Sequence, residues 1–323
     1  MSGAIHRLPI PTPFAVGRVN CYLLIGEPLT LVDTGPNSGT SLDTLERMLA
    51  EHGVRIEDLE LVVLTHQHMD HEGLLEIVAR RSGAQVAAFA PLEPWLADHR
   101  ASATADDTFA QAVMRRHGVP EEVNTVLGVV AAAYRAYGSR AVVSVRLHDG
   151  DGLTLGGQEW SVHHRPGHSP SDLVFREARG GTLIGGDHLL GHISSNALVS
   201  RPLTGEASPR PQPLVQYIAS LEATREMELR EVLPGHGDPV LDYVALIDER
   251  LSQHERRAAK ILGLLRPGPL TAHQIALQMW GEVAVTQAYL TLSEVLGHLD
   301  LLVARDAVTE FEDEAGVARF RAL

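Results

Sequence analysis

At 323 residues, with 44% hydrophobic and 21% charged side chains, the chain can bury a sizeable core as one large domain, or a large one with a small appendage. Its formal net charge of −14 repels phosphate backbones at long range and argues against general nucleic-acid binding. A single cysteine, Cys21, excludes an intramolecular disulfide and a cysteine-based zinc site, so nothing indicates oxidising secretion.

The N-terminal stretch MSGAIHRLPIPTPFAVG is broken by prolines and holds no apolar run of signal-peptide length. No run in the chain approaches a bilayer span, and a cytoplasmic protein is expected. From Leu29 to about Pro239 one theme recurs: a short aliphatic run ends in a glycine-containing turn that carries an acid or a histidine. LTLVDTG brings Asp33, LELVVLTHQH brings His66 and His68, WSVHHRPGH brings His168, GTLIGGDH brings Asp187 and REVLPGHG brings His236. Such runs read as buried strands. Leu42, Leu45 and Leu49, then Leu74, Leu75 and Val78, have helical spacing between them. Alternating strands and helices predict a layered sheet-and-helix architecture with function at one edge of the strands.

Residues 91–140 break that rhythm. Val126, Val130, Tyr134 and Tyr137 fall on one helical face, which fits either a helical insertion packed on the core or a lid whose Met114, Tyr134 or Tyr137 meets substrate. After residue 240 the glycine turns stop, so we expect one domain over 1–240 and a second over 241–323. Val244, Ile247, Leu251, Ala258, Ile261 and Leu265 mark a long amphipathic helix. Thr271 and Gln274 have capping-box spacing before a second helix, a third is expected over Thr286 to Leu299, and a hairpin turns near Glu314 to Gly316. That order suits a small winged-helix unit. With twelve Asp and Glu against eight Lys and Arg from Leu241 onward, it reads as a packing or dimerisation module rather than a DNA reader.

The chemistry is concentrated in THQHMDH, residues 65–71, where His66, His68, Asp70 and His71 crowd behind a predicted strand. Imidazoles and carboxylates together suit zinc, iron, manganese or nickel. Four donors exceed what one open tetrahedral ion can use, and His168, Asp187 and His236 raise the total to seven. Seven donors divide naturally over two ions with one carboxylate shared. His163, His164 and His192 read as satisfied turn residues. His188 could either donate to substrate in a catalytic role or simply pack.

Taken together and in this order, VDTG, THQHMDH, PGHSPSD, GGDHLL and LPGHGD resemble the metallo-β-lactamase-fold hydrolases. The resemblance implies a four-layer αββα sandwich, an α/β (α+β) fold, followed here by the winged-helix-like tail. It implies that His66, His68 and His168 hold one metal, and that Asp70, His71 and His236 hold the other. The same resemblance implies that Asp187 would bridge them and that Asp33 would support the ligands from behind. Zinc is the first expectation for the two divalent ions, with iron or manganese as alternatives. A hydroxide between them would attack a carbonyl or phosphoryl centre, with Asp70 steering it.

The complete histidine and aspartate set speaks against antibiotic hydrolysis, because β-lactamases of this fold replace at least one ligand. The resemblance narrows to the glyoxalase II, lactonase and thioesterase group, and so to a small-molecule ester, thioester or lactone as substrate. An endoribonuclease or phosphodiesterase of the same fold is the alternative, and an iron-dependent persulfide dioxygenase a third. Tyr134, Tyr137, Ser194 and Asn196 are expected to line the substrate, the last two from a loop over 188–210. No nucleic acid or membrane partner is expected, and a homodimer would form through the tail or the insertion.

Overall fold

The computed structural model describes residues 4–205 and 209–323. The first sheet follows the chain: β1 (Ile5–Ile10), β2 (Val19–Leu24), β3 (Thr30–Val32), β4 (Leu61–Val63), β5 (Gln85–Phe89) and β6 (Val145–Leu147). Strands β1 to β3 pair antiparallel, and β3 to β6 pair parallel. Parallel neighbours need crossovers. Helix α1 (Gly39–Glu51) joins β3 to β4, and α2 (Met69–Glu72) with α3 (Leu75–Ser82) joins β4 to β5. The second sheet holds β7 (Gly152–Leu155), β8 (Gln158–His164), β9 (Leu173–Glu177), β10 (Thr182–Gly186) and β11 (Glu231–Pro234), ordered β11-β10-β9-β8-β7. Its pairings are antiparallel except β10 with β11.

Between β5 and β6 the chain forms α4 (Glu93–Ala97), α5 (His99–Arg116) and α6 (Glu121–Tyr134). Helix α7 (Pro213–Arg225) crosses from β10 to β11. After β11 come α8 (Tyr243–Leu265), α9 (Ala272–Trp280), α10 (Val283–Thr286), α11 (Ala288–Ala304) and the hairpin β12 (Val308–Glu312) and β13 (Ala318–Ala322).

Side-chain alternation along the strands explains why two sheets become four layers. Tyr22, Leu24, Val63, Val162, Phe175 and Ile184 point between the sheets. Their neighbours Leu23 and Val62 face outward onto Leu45, Leu49, Leu75 and Val78 of α1 and α3. Val174, Leu183 and Val232 face the other way onto Leu214, Tyr217 and Leu221 of α7 and Ile247 of α8. The central strands β2, β3, β4 and β10 are buried on both faces because each face meets another layer. The result is the αββα sandwich.

Two expectations need correction. Met114 is not a lid residue: with Val113 and Val119 it lies in a fourth core shared with Ala258, Ile261, Leu292, Leu296 and Phe320 of the tail. Of the two readings of the α6 face, packing on the core does not hold, with Val126 61%, Val130 40% and Tyr134 42% exposed. Val123 and Leu127, four residues apart, make the contact instead. The division expected after residue 240 falls beside a helix that serves both units. Tyr243 and Ile247 of α8 belong to the sandwich, whereas Ala258, Ile261 and Leu265 belong to the fourth core.

The tail otherwise follows its pattern. The capping box forms, with Gln274 N donating to Thr271 Oγ1 at 3.1 Å and Thr271 N donating to Gln274 Oε1 at 3.0 Å. The third helix begins at Ala288 and runs on to Ala304, because buried Leu301 and Leu302 extend its apolar face. Part of the hairpin's acidity is used internally, since Arg116 of α5 pairs with both Glu310 and Glu312.

Candidate metal centre

Except for Asp70 and His71, which open helix α2, every predicted donor lies just past a strand or in a turn between strands, and the sandwich gathers these ends at one edge. Asp33 follows β3 in a left-handed conformation, φ 58°, which side chains other than glycine seldom adopt. Three hydrogen bonds hold it there. Its Oδ1 accepts from Thr65 N at 2.9 Å, and Oδ2 accepts from Thr65 Oγ1 and His71 Nδ1, both at 2.8 Å. His66 and His68 leave β4, while Asp70 and His71 occupy the first turn of α2. His168 sits in the β8–β9 turn, Asp187 just after β10 and His236 just after β11.

These seven side chains converge as three linked groups: His66, His68 and His168; Asp70, His71 and His236; and His66, His71 and Asp187. His68 Nδ1 is 3.0 Å from His66 Nε2 and 2.9 Å from His168 Nε2. Asp187 stands in the middle. Its Oδ1 is 3.4 Å from His71 Nε2, and its Oδ2 is 3.5 Å from both His168 Nε2 and His236 Nε2. Asp70 Oδ2 is 3.3 Å from His236 Nε2.

The rear nitrogens decide which atoms face inward. His168 Nδ1 donates to the Asn196 carbonyl at 3.1 Å, and His236 Nδ1 to the Arg18 carbonyl at 2.8 Å. His71 Nδ1 donates to Asp33. The Thr65 hydroxyl spends its proton on Asp33, so it accepts from His66 Nδ1 at 3.0 Å. In their neutral forms all four rings therefore present a bare Nε2 lone pair to the centre. His68 Nδ1 carries at most one proton and cannot satisfy both His66 and His168.

His71 Nε2, His236 Nε2 and Asp187 Oδ1 are buried without any hydrogen-bond partner. Lone pairs facing lone pairs, with a carboxylate among them, are what bound cations resolve. The donor set fits divalent metals.

The electrostatics agree. Burial, reinforced by His71 and His68, holds His66 well below the usual imidazole range; burial, with His168 beside it, pushes His68 down to about 3. Both are thus in the neutral, ligating form. Burial pushes the Asp187 carboxyl up, but His236, His71 and His168 outweigh it and hold the group well below its ordinary value. Burial likewise pushes His71 and His236 down, and the carboxylates around them, Asp187 foremost, reverse it. The cluster attracts positive charge.

Residues that no sequence motif marked complete the frame. Asn20 Nδ2 donates to Pro234 O at 2.9 Å and Gly237 O at 2.8 Å, bracketing His236, while the Tyr22 hydroxyl also donates to Pro234 O. Arg250 of α8, 6% exposed, donates to the carbonyls of Leu190 and Ile193 and so grips the loop after Asp187. Their signal, a polar residue inside an apolar strand or on a buried helix face, becomes readable only once the partner is known. Glu72 is fully buried and accepts from Ser139 N through both carboxylate oxygens, at 3.1 and 2.9 Å. It ties the end of the insertion to the ligand-bearing helix α2. Glu72→Ala strands the Ser139 amide and should cost about 1–3 kcal/mol. Urea unfolding reads this, and an unchanged midpoint would remove Glu72 from the frame.

Two expected site residues move. His188 does not face a substrate: it is fully buried, its Nε2 lies 2.8 Å from Thr224 Oγ1, and its carbonyl accepts from the Tyr217 hydroxyl at 2.8 Å. The packing alternative holds, and the catalytic one is withdrawn. Asn196 has roles besides the lining one expected. Its carbonyl orients His168, and its amide donates to Leu290 O at 3.1 Å. Neighbouring Ser195 bonds the Asp187 carbonyl, and Ser194 is half-buried. Of the loop 188–210, residues 206–208 lie outside the described residues. Tyr134 and Tyr137 each set an edge against Phe14, centroids 5.6 and 5.7 Å away. His163 and His164 are satisfied by Ser161 and the Pro170 carbonyl.

Asp33→Asn removes one of the acceptors that orient His71 and Thr65. It should weaken zinc binding about 10–100-fold in a competition titration with a chromophoric chelator. Unaltered affinity would mean that Asp33 only shapes the backbone.

Comparison with known proteins places this geometry. The family model of the metallo-beta-lactamase superfamily matches residues 15–236, from the loop before β2 through His236, the last of the seven donors along the chain. The chain belongs to the metallo-beta-lactamase superfamily. It is 35% identical over 307 residues to the probable metallo-hydrolase YqjP of Bacillus subtilis, covering 95% of this chain and 94% of that one. It is 25% identical to the thioesterase pkgB of Emericella nidulans, covering 79% of this chain and 56% of that protein. Among solved structures, a metallo-beta-lactamase family protein from Thermus thermophilus superposes with a TM-score of 0.82 at 28% identity, covering 99% of this chain and 98% of the other. That likeness spans the tail as well as the sandwich. The chain is a metallo-hydrolase of this superfamily, and among the described residues no helix is long and apolar enough to cross a membrane.

Proposed function

We propose that the protein hydrolyses an ester, thioester or lactone of modest size at a dinuclear metal centre. His66, His68 and His168 would hold one ion, Asp70, His71 and His236 the other, and Asp187 would face both. The observation that carries this is the inward lone pairs of four rear-anchored histidines around one central carboxylate. When bound, a pair of divalent cations supplies water that ionises near neutral pH and polarises a carbonyl oxygen.

The chain's own residues supply the rest. Asp70 is a carboxylate of the centre with part of its side chain open to solvent, 12%, and so is placed to take a proton at Oδ and return it to the leaving group. Asp33, Asn196 and Arg18 hold three imidazoles in one tautomer through each cycle. No serine, cysteine or lysine nucleophile is involved; Cys21 is in the core. Phe14, Tyr134 and Tyr137, with the exposed Val126 and Val130, offer an apolar surface suited to an acyl chain. The thioesterase similarity and the acidic balance of the chain support the same choice over a nucleic acid.

The test offers zinc-loaded protein an acyl-thioester and lactone panel beside a labelled single-stranded RNA. Thioester or lactone cleavage that disappears in His68→Ala, with the RNA intact, is the expected result. RNA cutting that disappears in the same variant, with every ester untouched, would replace this reading by a nuclease.

A further inference from the structure

A second group of donors lies in the tail, away from the seven. His254 of α8 and His298 of α11 are buried at 1% and 0% exposure, and Glu294 stands one helical turn before His298. One donor atom from each lies within 4.8 Å of the others. The His254 ring also stands edge-on to Tyr217, whose hydroxyl bonds the backbone beside Asp187.

The tautomers can be worked out. His298 Nδ1 is 2.6 Å from the Glu294 carbonyl, which only accepts, so Nδ1 carries the proton and Nε2 is a bare lone pair. That lone pair is 3.2 Å from His254 Nδ1. A proton on His254 Nδ1 would satisfy this contact, but it makes the opposite nitrogen, Nε2, a lone pair as well. That atom is buried without a hydrogen-bond partner, a costly place for one. A cation between the two inner nitrogens takes both of their lone pairs and places the His254 proton on Nε2, which stays buried without a partner, now as a donor.

The spacing suits it. Two nitrogens on a tetrahedral zinc at about 2.0–2.1 Å stand about 3.3 Å apart. The catalytic cluster shows the same signature, imidazole nitrogens at 3.0 and 2.9 Å. Burial, the leading influence on both rings, pushes His254 down to about 4 and lowers His298, leaving the neutral ligating forms at neutral pH. Arg257, 30% exposed, now pairs with Glu294 Oε1, and its exposure lets it turn to solvent when the carboxylate is recruited.

We propose that His254, Glu294 and His298 form a separate structural site for a zinc-like divalent cation, which ties α8 to α11 behind the catalytic loop. Helix bundles bind metals through glutamates and histidines that project inward from facing helices, and Glu294 and His298, four apart, share one side of α11 opposite His254.

The experiment strips the full-length protein with chelator, reloads it with zinc ions, removes excess by dialysis and counts zinc per chain by plasma mass spectrometry. Wild type should hold one ion more than His254→Gln and one more than Glu294→Gln, while both variants retain the ions of the catalytic cluster. Glu294 lies at the rim of the core, so Glu294→Gln decides the matter if His254→Gln fails to fold. Equal zinc in wild type and Glu294→Gln would overturn the proposal and leave the histidines as a proton-sharing pair. Because the count is a difference at fixed catalytic content, it does not depend on which bond the enzyme cleaves.

Discussion

Asp187→Asn is expected to lower kcat/KM at least about a thousandfold on any substrate the wild type cleaves, and to lower the bound metal. The substitution keeps the shape of the side chain but removes the one carboxylate that faces His71, His168 and His236 together. A cation pair contributes several kcal/mol of charge stabilisation, and each ~1.4 kcal/mol is a factor of ten in rate. The fold should survive, because β10 and the Ser195 bond to the Asp187 backbone are untouched. Steady-state kinetics and elemental analysis on the same sample read both effects. Turnover within tenfold of wild type, with full metal, would take Asp187 out of the centre.

Gly235→Ala should be nearly as damaging, for a steric reason. A Cβ at that position would stand 2.2 Å from Asp187 Oδ1 and 2.8 Å from His71 Cε1, closer than such atoms ever approach. Something must shift, and what is nearest is the donor set itself. Overpacking of this kind costs about 1–3 kcal/mol. Each kcal/mol lowers Tm by about 2–4 °C in a chain of 150 to 250 residues, and by somewhat less in a longer one. Metal content should fall with activity. Gly268→Ala is the control, since nothing lies within 4 Å of a Cβ there. If Gly235→Ala retained its metal and its activity while both proteins melted alike, the close approach at the LPGHG turn would have no functional weight.

The seven donors were legible because their chemistry is local: bare polar heads crowded directly behind apolar strands have few structural explanations. The strands were legible for the same reason, since runs such as LTLV and GTLI end in glycine-containing turns. His188 was not. Its neighbour Asp187 belongs to the centre, yet in the turn after β10 the next side chain goes into the core, where His188 meets Thr224. Met114 and the α6 stripe misled for a related reason. Periodicity says that a helix has an apolar face, but not which surface will cover it, and here the cover for α5 came from the tail. Asn20, Glu72 and Arg250 carried no motif at all, because each acts on a partner far along the chain.

What the sequence by itself determined is the list of donors, the strand ends that bear them and the layered class of fold, all of which follow from short-range patterns of polarity and turn chemistry. Only the tertiary structure decided how those donors face one another, which nitrogen of each imidazole points inward and which residues stand behind them. Those are matters of contact between segments as much as about two hundred residues apart, and a hydrogen bond from Asn20 to the His236 turn has no trace until packing closes the sandwich.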